Sequence, residues 1–325
     1  MKKSILVFLF ALLGILSAHA YDFEVDGIYY NLISGTDQVA VTYVSNSYTV
    51  RNDYTGSVVI PSTVTYNFNG KTYAVTSIEN RAFYYCEKLT SVTIPESVTV
   101  IGSYAFEDCT SISSPLYNSK VFAYMPKTYN GGYTIPSGIQ TIAGGAFSGC
   151  SGLTSVTIPD GVTAIGEYAF YGCSGLTSVT IPESVTSIGY KAFAYCRGLT
   201  SVTIPEGVDT IGSSAFAYCT GLTSVTIGES VTFIGDMAFG GCSALKAVEW
   251  NARHCKSFES SPFGSVSFII FGKEVEYIPG NLCSGCSGLK SVTIPESVPS
   301  IGSSAFRGCF GLTSLKIPEG VSSIG

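Results

Sequence analysis

The chain has 325 residues, a formal net charge of −6 and only two histidines. An acidic chain argues against nucleic acid or an anionic membrane as a partner. With so little histidine, a Ser–His or Cys–His nucleophilic site or a zinc centre is difficult to assemble, so we predict no catalytic residue, no metal site and no cofactor.

The first twenty residues have the pattern of an export signal. Two lysines precede an apolar stretch at 5–16, and Ala18-His19-Ala20 fits a small-x-small cleavage site. The apolar stretch is too short for a membrane span. We therefore predict a signal peptide at 1–20 and a secreted or cell-surface protein that has no transmembrane segment after leader cleavage.

Residues 21–75 lack the repeat described below, but they alternate apolar and polar side chains, as at 39–44. Asn69-Gly70 is a turn signal between such stretches. We predict a β-rich N-terminal cap over this segment, because the exposed end of a stacked array needs a cover.

From residue 76 to residue 325 the sequence repeats a block of 23 residues, most clearly at 176–198, LTSVTIPESVTSIGYKAFAYCRG. An Ala-Phe pair marks each clear copy. The phenylalanines of these pairs are Phe83, Phe106, Phe147, Phe170, Phe193, Phe216, Phe239 and Phe306. A fixed period of this length is typical of a solenoid, in which stacked coils bury a shared core.

Within one coil, Val179 and Ile181 alternate with polar residues, which predicts a strand that ends at Pro182. A second short extended piece follows. The spacing of Phe193 and Cys196 then predicts a short helical or 3₁₀ turn. Stacked coils of this kind rise by about 4.8 Å each, the spacing of neighbouring strands, so the fold class is a β-rich solenoid with a parallel β-sheet along one side.

The intervals before Phe147 and Phe306 are longer than one repeat. Residues 112–135 predict one shortened coil without an Ala-Phe pair. Residues 246–282 predict about two irregular coils, followed by Cys283 at the Phe position. The chain stops partway through a repeat, so we expect the array to be truncated at its C-terminus.

The pattern LxxVxIPxxVxxIGxxAFxxC over roughly residues 76–325 resembles the BspA-type leucine-rich repeats of bacterial surface proteins. The resemblance implies a leucine-rich-repeat solenoid. It also implies a role in adhesion, including binding of host matrix and plasma proteins and coaggregation with other bacteria.

Nine of the eleven cysteines occupy one position of the repeat: Cys86, Cys109, Cys150, Cys173, Cys196, Cys219, Cys242, Cys286 and Cys309. Neighbours in this column would lie about 5 Å apart at Cα, within disulfide range. Stacked parallel side chains all point the same way, however, which favours reduced thiols in the core. Because disulfides form in exported proteins, a local disulfide involving Cys255, Cys283 or Cys286 is kept as an alternative.

Three columns of the repeat face outward: a Ser and Thr lattice on the strands, a carboxylate after the strand proline, and several aromatic residues. Tyrosine is enriched at interfaces because it buries area and keeps a polar tip, although packing between coils also explains it. We single out Tyr117, Phe122, Tyr124, Tyr129, Tyr168, Tyr195 and Tyr218 as candidate binding residues. Interruptions of a solenoid often carry function, so 112–135 and 246–271 are the first regions to consider.

Two functional hypotheses remain. The first is an exported, surface-displayed protein that acts in adhesion by binding host matrix proteins, plasma proteins or other cells, without catalysis. The alternative is a carbohydrate-binding or nutrient-capture surface module that uses the Thr lattice and the tyrosines. An enzyme is disfavoured, because a column of carboxylates along one edge does not place two of them across a cleft.

Overall fold

The structure is a computed structural model, and it describes residues 20–44, 54–264 and 266–325. The predicted signal peptide lies outside these residues except for Ala20. The described residues form 25 strands and no helix. The strands are β1 (Phe23–Val25), β2 (Ile28–Leu32), β3 (Gln38–Val41), β4 (Gly56–Val59), β5 (Thr63–Tyr66), β6 (Lys71–Ile78), β7 (Leu89–Thr93), β8 (Val100–Ile101), β9 (Leu116–Tyr117), β10 (Val121–Tyr124), β11 (Asn130–Thr134), β12 (Thr141–Ile142), β13 (Gly152–Thr157), β14 (Ala164–Ile165), β15 (Ser178–Thr180), β16 (Ser187–Ile188), β17 (Ser201–Ile204), β18 (Thr210–Ile211), β19 (Ser224–Ile227), β20 (Phe233–Ile234), β21 (Ala247–Trp250), β22 (Phe268–Phe271), β23 (Ser291–Thr293), β24 (Ser300–Ile301) and β25 (Ser323–Ile324).

The N-terminal strands form a small mixed sheet. β1, β2 and β3 are antiparallel, β3 pairs in parallel with β6, and β6 pairs antiparallel with β5. β6 also pairs in parallel with β8, so this sheet leads directly into the repeats. The buried ring of Tyr54 lies 4.5 Å from that of Phe83, centroid to centroid, and so covers the first phenylalanine of the repeat array.

The repeats stack as a solenoid with parallel strands, which confirms the predicted fold class. One side, sheet 1, contains the longer strands, in which Val156 lies opposite Val179 of the next coil. A second side, sheet 2, contains the two-residue strands, in which Ile165 lies opposite Ile188. Isoleucine and leucine side chains point inward from these strands, while the Ser and Thr hydroxyls of sheet 1 point outward.

The third side of each coil is a turn segment, such as 189–196. From Lys191 to Cys196, every second N–H donates to a carbonyl of the next coil, and the N–H groups between them donate to carbonyls three residues back. Lys191 and Tyr195 have left-handed φ angles of 51° and 63°. A continuous helix cannot contain this alternation, so the expected short helical or 3₁₀ turn takes the form of single turns closed by N–H bonds to the carbonyl three residues back. Across the described residues, accordingly, no apolar helix of membrane-spanning length is found.

Phenylalanine rings stack along the core behind the turn segments. The ring centroids of Phe147 and Phe170 are 4.7 Å apart, those of Phe170 and Phe193 are 4.9 Å apart, and the planes differ by 15° and 5°. Such stacking adds to the free energy gained by burying the rings. The repeat therefore fixes both the period and the orientation of its largest core residue.

The cysteine column is buried, as predicted, and it also supplies hydrogen bonds. The Sγ of Cys196 donates to the carbonyl of Phe170 in the preceding coil at 3.1 Å, and the Sγ of Cys219 donates in the same way to Phe193. All eleven cysteines are free thiols, including Cys255, Cys283 and Cys286. Burial raises the pKa of the Cys255 thiol to about 12, so it stays protonated at neutral pH.

The two long intervals are filled by variant coils. Phe263, which the sequence reading overlooked, pairs with Phe239 and places its ring 5.3 Å away. Cys283 donates its N–H to Ala305, as the column phenylalanines do, which confirms its predicted position. In the shortened coil, Met125 makes the equivalent N–H bond to Ala146.

We expect close to eleven reactive thiols per chain when the protein is denatured without reductant and titrated with a thiol reagent. Eight of the nine column thiols donate to a carbonyl of another coil, and all eleven cysteines are buried as free thiols. A count of five or fewer would contradict this description of the core.

Candidate functional site

Six tyrosines form a continuous array on the turn-segment side of the solenoid, which we call the tyrosine ridge. Its members are Tyr104, Tyr168, Tyr171, Tyr190, Tyr195 and Tyr218. Their ring centroids form an unbroken chain: 104–168 at 4.8 Å, 168–190 at 5.2 Å, 168–171 at 5.6 Å, 171–195 at 5.3 Å and 195–218 at 4.9 Å. The ridge is therefore one surface and not a set of isolated side chains.

The backbone holds several of these tyrosines in an unfavourable conformation. Tyr104, Tyr168, Tyr195 and Tyr218 have left-handed φ angles of 57° to 63°. The residue at the Tyr195 position is Gly172 in the preceding coil, and its φ of 71° is also left-handed. A side chain with a Cβ costs about 1–2 kcal/mol there relative to glycine, so local conformation alone favours glycine over tyrosine.

Glycines between the tyrosines let the rings approach. A Cβ on Gly145 would lie 3.1 Å from Tyr104 Cδ1, and the lack of one lets Tyr104 reach Tyr168 across that coil. A Cβ on Gly241 would lie 2.6 Å from Tyr218 Cδ1, so the Tyr218 ring rests on the bare backbone of the next coil. The alternation of tyrosine and glycine thus builds the ridge.

Two cations lie along the ridge. The Nζ of Lys191 is 5.0 Å from the ring centroid of Tyr190 and 5.8 Å from that of Tyr168, and the Arg197 guanidinium is 5.8 Å from the Tyr195 ring. A hydrogen bond with Lys191 lowers the pKa of the Tyr190 hydroxyl, whereas burial raises the pKa of Tyr168. The surface combines aromatic faces, hydroxyl groups and positive charge.

The structure divides the predicted site residues into three groups. Tyr168, Tyr195 and Tyr218 come together in the ridge. Tyr117 is exposed on β9, and Tyr129 is half-buried against Tyr133 with its hydroxyl donating to Gly132; neither is part of the ridge.

The expected exposure of Phe122 and Tyr124 is wrong. Both side chains are buried, and the Phe122 ring stacks on Phe147 at 4.7 Å. The reason is that the shortened coil has no Ala-Phe pair, so its other aromatic residues must fill the core. A count of aromatic residues in the coil did not distinguish these core residues from surface residues.

Sequence reasoning missed Tyr171, Tyr190, Lys191 and Arg197. These residues occur at different positions of the repeat, so no single column contains them. An alignment of neighbouring coils would have found them, because residues 190 and 191 occupy the same repeat positions as 167 and 168 in the coil before. The backbone bond from Tyr168 N–H to Tyr190 O shows this proximity.

The predicted carboxylate column binds to the protein itself at several coils. Glu183 accepts a hydrogen bond from the Gly207 N–H, and Glu229 forms an ion pair with Arg253. Glu96 accepts from Ser119, which lowers the pKa of that carboxyl group. Among the described residues, no three His, Cys, Asp or Glu side chains form a cluster that would hold a metal ion.

The stacked strands, the 23-residue period and the inward columns define the class: this is a leucine-rich-repeat solenoid. The family model described as "BspA type Leucine rich repeat region" matches residues 65–130, 118–246 and 254–325, in six copies. The chain therefore belongs to the BspA-type leucine-rich-repeat family. No curated protein matches this sequence.

The chain is similar to several solved structures of bacterial proteins. A leucine-rich repeat protein from Bacteroides ovatus is 26% identical, with a TM-score of 0.51 over 94% of this chain and 91% of its own. A leucine rich cell surface protein from Faecalibacterium prausnitzii is 25% identical, with a TM-score of 0.40 over 93% of each chain. The pneumococcal vaccine antigen PcpA is 16% identical, with a TM-score of 0.43 over 93% of this chain and 98% of its own.

The left-handed position makes a specific prediction about stability. Tyr195→Gly and Tyr195→Ala both remove the ring contacts, but only glycine relieves the backbone. We expect Tyr195→Gly to be more stable than Tyr195→Ala by about 1 kcal/mol in urea unfolding, and to lie within about 1 kcal/mol of the parent. An alanine variant as stable as the glycine variant would show that the position is not strained.

Proposed function

We propose that this chain is a secreted or cell-surface adhesion protein that binds protein ligands through the tyrosine ridge, without catalysis. One observation carries the proposal: Tyr195 and Tyr218 lie at a left-handed position where five other coils have glycine. Strain of this kind is typical of functional sites, where the surrounding structure enforces it.

The ridge has the chemistry of a protein interface. Tyrosine and arginine are the residues that most often dominate binding energy, and here Tyr195 and Tyr218 lie beside Arg197. Tyr218 exposes 43% of its surface and Tyr190 exposes 36%, so both have area left to bury on a partner.

Rigidity supports tight binding. The Tyr104 N–H donates directly to Gly144, past the shortened coil, so the ridge contains five bonded turn segments from Tyr104 to Tyr218 and spans about 20 Å at the spacing of stacked strands. Side chains that are already ordered by neighbouring rings lose little conformational entropy when a ligand covers them. Several weak contacts along one rigid surface then add up to a stable complex.

Family membership supports the same function, since BspA-type repeats are expected on bacterial surface proteins that bind host matrix proteins, plasma proteins or other cells.

We propose that residues 1–20 act as the export signal. N-terminal sequencing of the secreted protein should then begin at Tyr21; a mature chain that keeps the apolar stretch would contradict cleavage.

The alternative is glycan binding. It is favoured by the outward hydroxyls of sheet 1, where Thr157, Thr180 and Thr203 are all exposed in successive coils. Many weak hydrogen bonds to a sugar polymer would use that lattice and leave the ridge free. The two functions therefore depend on different sides of the solenoid.

We expect the mature chain to bind at least one member of a panel of immobilised collagen, laminin, fibronectin and fibrinogen in surface plasmon resonance. Tyr195→Gly combined with Tyr218→Gly should weaken that binding by at least about tenfold, because it removes two aromatic contacts from the centre of the interface. The unfolding midpoint should change little.

Tyr85→Gly is the matched control. Tyr85 occupies the same repeat position, has a φ of 58° and is 41% exposed, but it packs on Tyr84 rather than on the ridge. Its replacement should leave binding unchanged. Equal losses in both variants, or binding to a glycan array that depends on Thr180 and Thr203 instead, would contradict the proposal.

A further inference from the structure

The outward lattice of sheet 1 changes character at β22. Strands such as β19 and β23 present Ser and Thr, and β21 presents Ala247 and Glu249, whereas β22 presents Phe268 and Ile270. Phe268 is 45% exposed and Ile270 is 63% exposed. Two large apolar side chains therefore face outward in the middle of a hydroxyl-rich surface.

The fold does not need these apolar residues. Phe268 lies in register between Ala247 and Ser291, and Ile270 lies in register between Glu249 and Thr293. The core contacts of this strand come from its inward side chains, which are buried. Because Ser and Thr support the same strand in other coils, the apolar pair adds exposed surface without adding to the core.

The two apolar side chains border a shallow groove of about 520 Å³. Ala247 and Ser291 are small, so the flanks of the Phe268 ring stay uncovered. Lys273 and Pro295 also line the groove. The groove is wide enough for a side chain of a partner to lie beside the Phe268 ring.

Lysines border this apolar centre. Ser267 and Phe268 both donate N–H bonds to the carbonyl of Lys246, and Lys290 donates its N–H to Ser267, so the two lysines lie in the coils on either side. At the same repeat position other coils carry threonine, as at Thr177. Both the centre and the rim of this patch therefore differ from the same positions in other coils.

The rim charge is largely uncompensated. Within the described part of the chain, neither Lys246 nor Lys290 forms an ion pair. The carboxylate of Glu249 accepts a hydrogen bond from Thr226, on the side away from Ile270. Lys273 is the exception, with its Nζ 3.7 Å from Glu274. A cationic rim on a chain of net charge −6 attracts a negatively charged partner.

We propose that the patch formed by Lys246, Phe268, Ile270 and Lys290 is a second docking surface, which binds an acidic peptide segment that carries a large apolar side chain. The apolar side chain lies in the groove beside Phe268, and flanking carboxylates pair with the two lysines. The patch is on sheet 1, whereas the tyrosine ridge is on the turn segments, so this inference does not depend on the function proposed for the ridge.

The test uses fluorescein-labelled eight-residue peptides and the mature chain, with binding followed by fluorescence anisotropy. One peptide has a central Phe-Leu pair flanked by aspartate and glutamate, a second has lysine and arginine in place of the acids, and a third has serine in place of Phe-Leu. We expect only the first to bind in low salt, and added salt to weaken it.

Two variants introduce residues that other coils carry at the same positions and so preserve the fold: Phe268→Ser with Ile270→Thr, and Lys246→Thr with Lys290→Thr. Each should weaken binding of the acidic peptide by at least about tenfold, since one removes the groove wall and the other removes the rim charge. Phe310→Ser is the matched control, because Phe310 is 89% exposed outside the patch. It should leave binding unchanged, as should Tyr218→Gly.

Three results would overturn the proposal. If the basic peptide bound equally well, charge complementarity would not be the reason that the acidic peptide binds. If the acidic peptide did not bind the folded parent chain, an acidic peptide segment would be ruled out as the ligand of this patch. Sedimentation that shows a dimer of the parent chain and a monomer of the Phe268→Ser, Ile270→Thr variant would assign the patch to a second copy of this chain.

Discussion

The structure depends on one kind of hydrogen bond that recurs in register from coil to coil: the N–H of the column phenylalanine donates to the alanine carbonyl of the next coil. It measures 2.7 Å at Phe147, Phe170, Phe193 and Phe216. The bond fixes where each ring lies, so that the rings stack at 4.7 to 5.2 Å. The carbonyl of the same phenylalanine accepts the cysteine thiol of that next coil, so one residue makes two hydrogen bonds between two neighbouring coils.

This register explains how the solenoid keeps tyrosines in a left-handed conformation. The Tyr195 N–H donates to Ala217, and two residues earlier the Phe193 N–H donates to Ala215 of the same coil. A cost of about 1–2 kcal/mol at one residue is small beside the stacked core of several coils. The inward columns thus stabilise the coil, and the outward positions of the turn segments are free to carry binding residues.

The repeat itself made the solenoid predictable, because Val, Ile, Phe and Cys return at fixed positions and only stacking buries them together. The turn segment was not predictable in detail, since Phe193 and Cys196 have the spacing of a helical turn as well as that of alternating turns. Phe122 shows a second limit: its burial follows from the missing Ala-Phe pair of its coil. The ridge needed the alignment of neighbouring coils, which brings Tyr190 beside Tyr168 although they occupy different columns.

Amide hydrogen exchange of the mature chain tests the central claim most directly. If the registered bonds hold the array together, the amides of Phe147, Phe170, Phe193 and Phe216 exchange only when the whole array unfolds, and they are as protected as those of sheet 1. Exchange at these four amides that is much faster than in sheet 1 would show that the turn segments open locally. The tyrosine ridge would then have no rigid support, and the account would be contradicted.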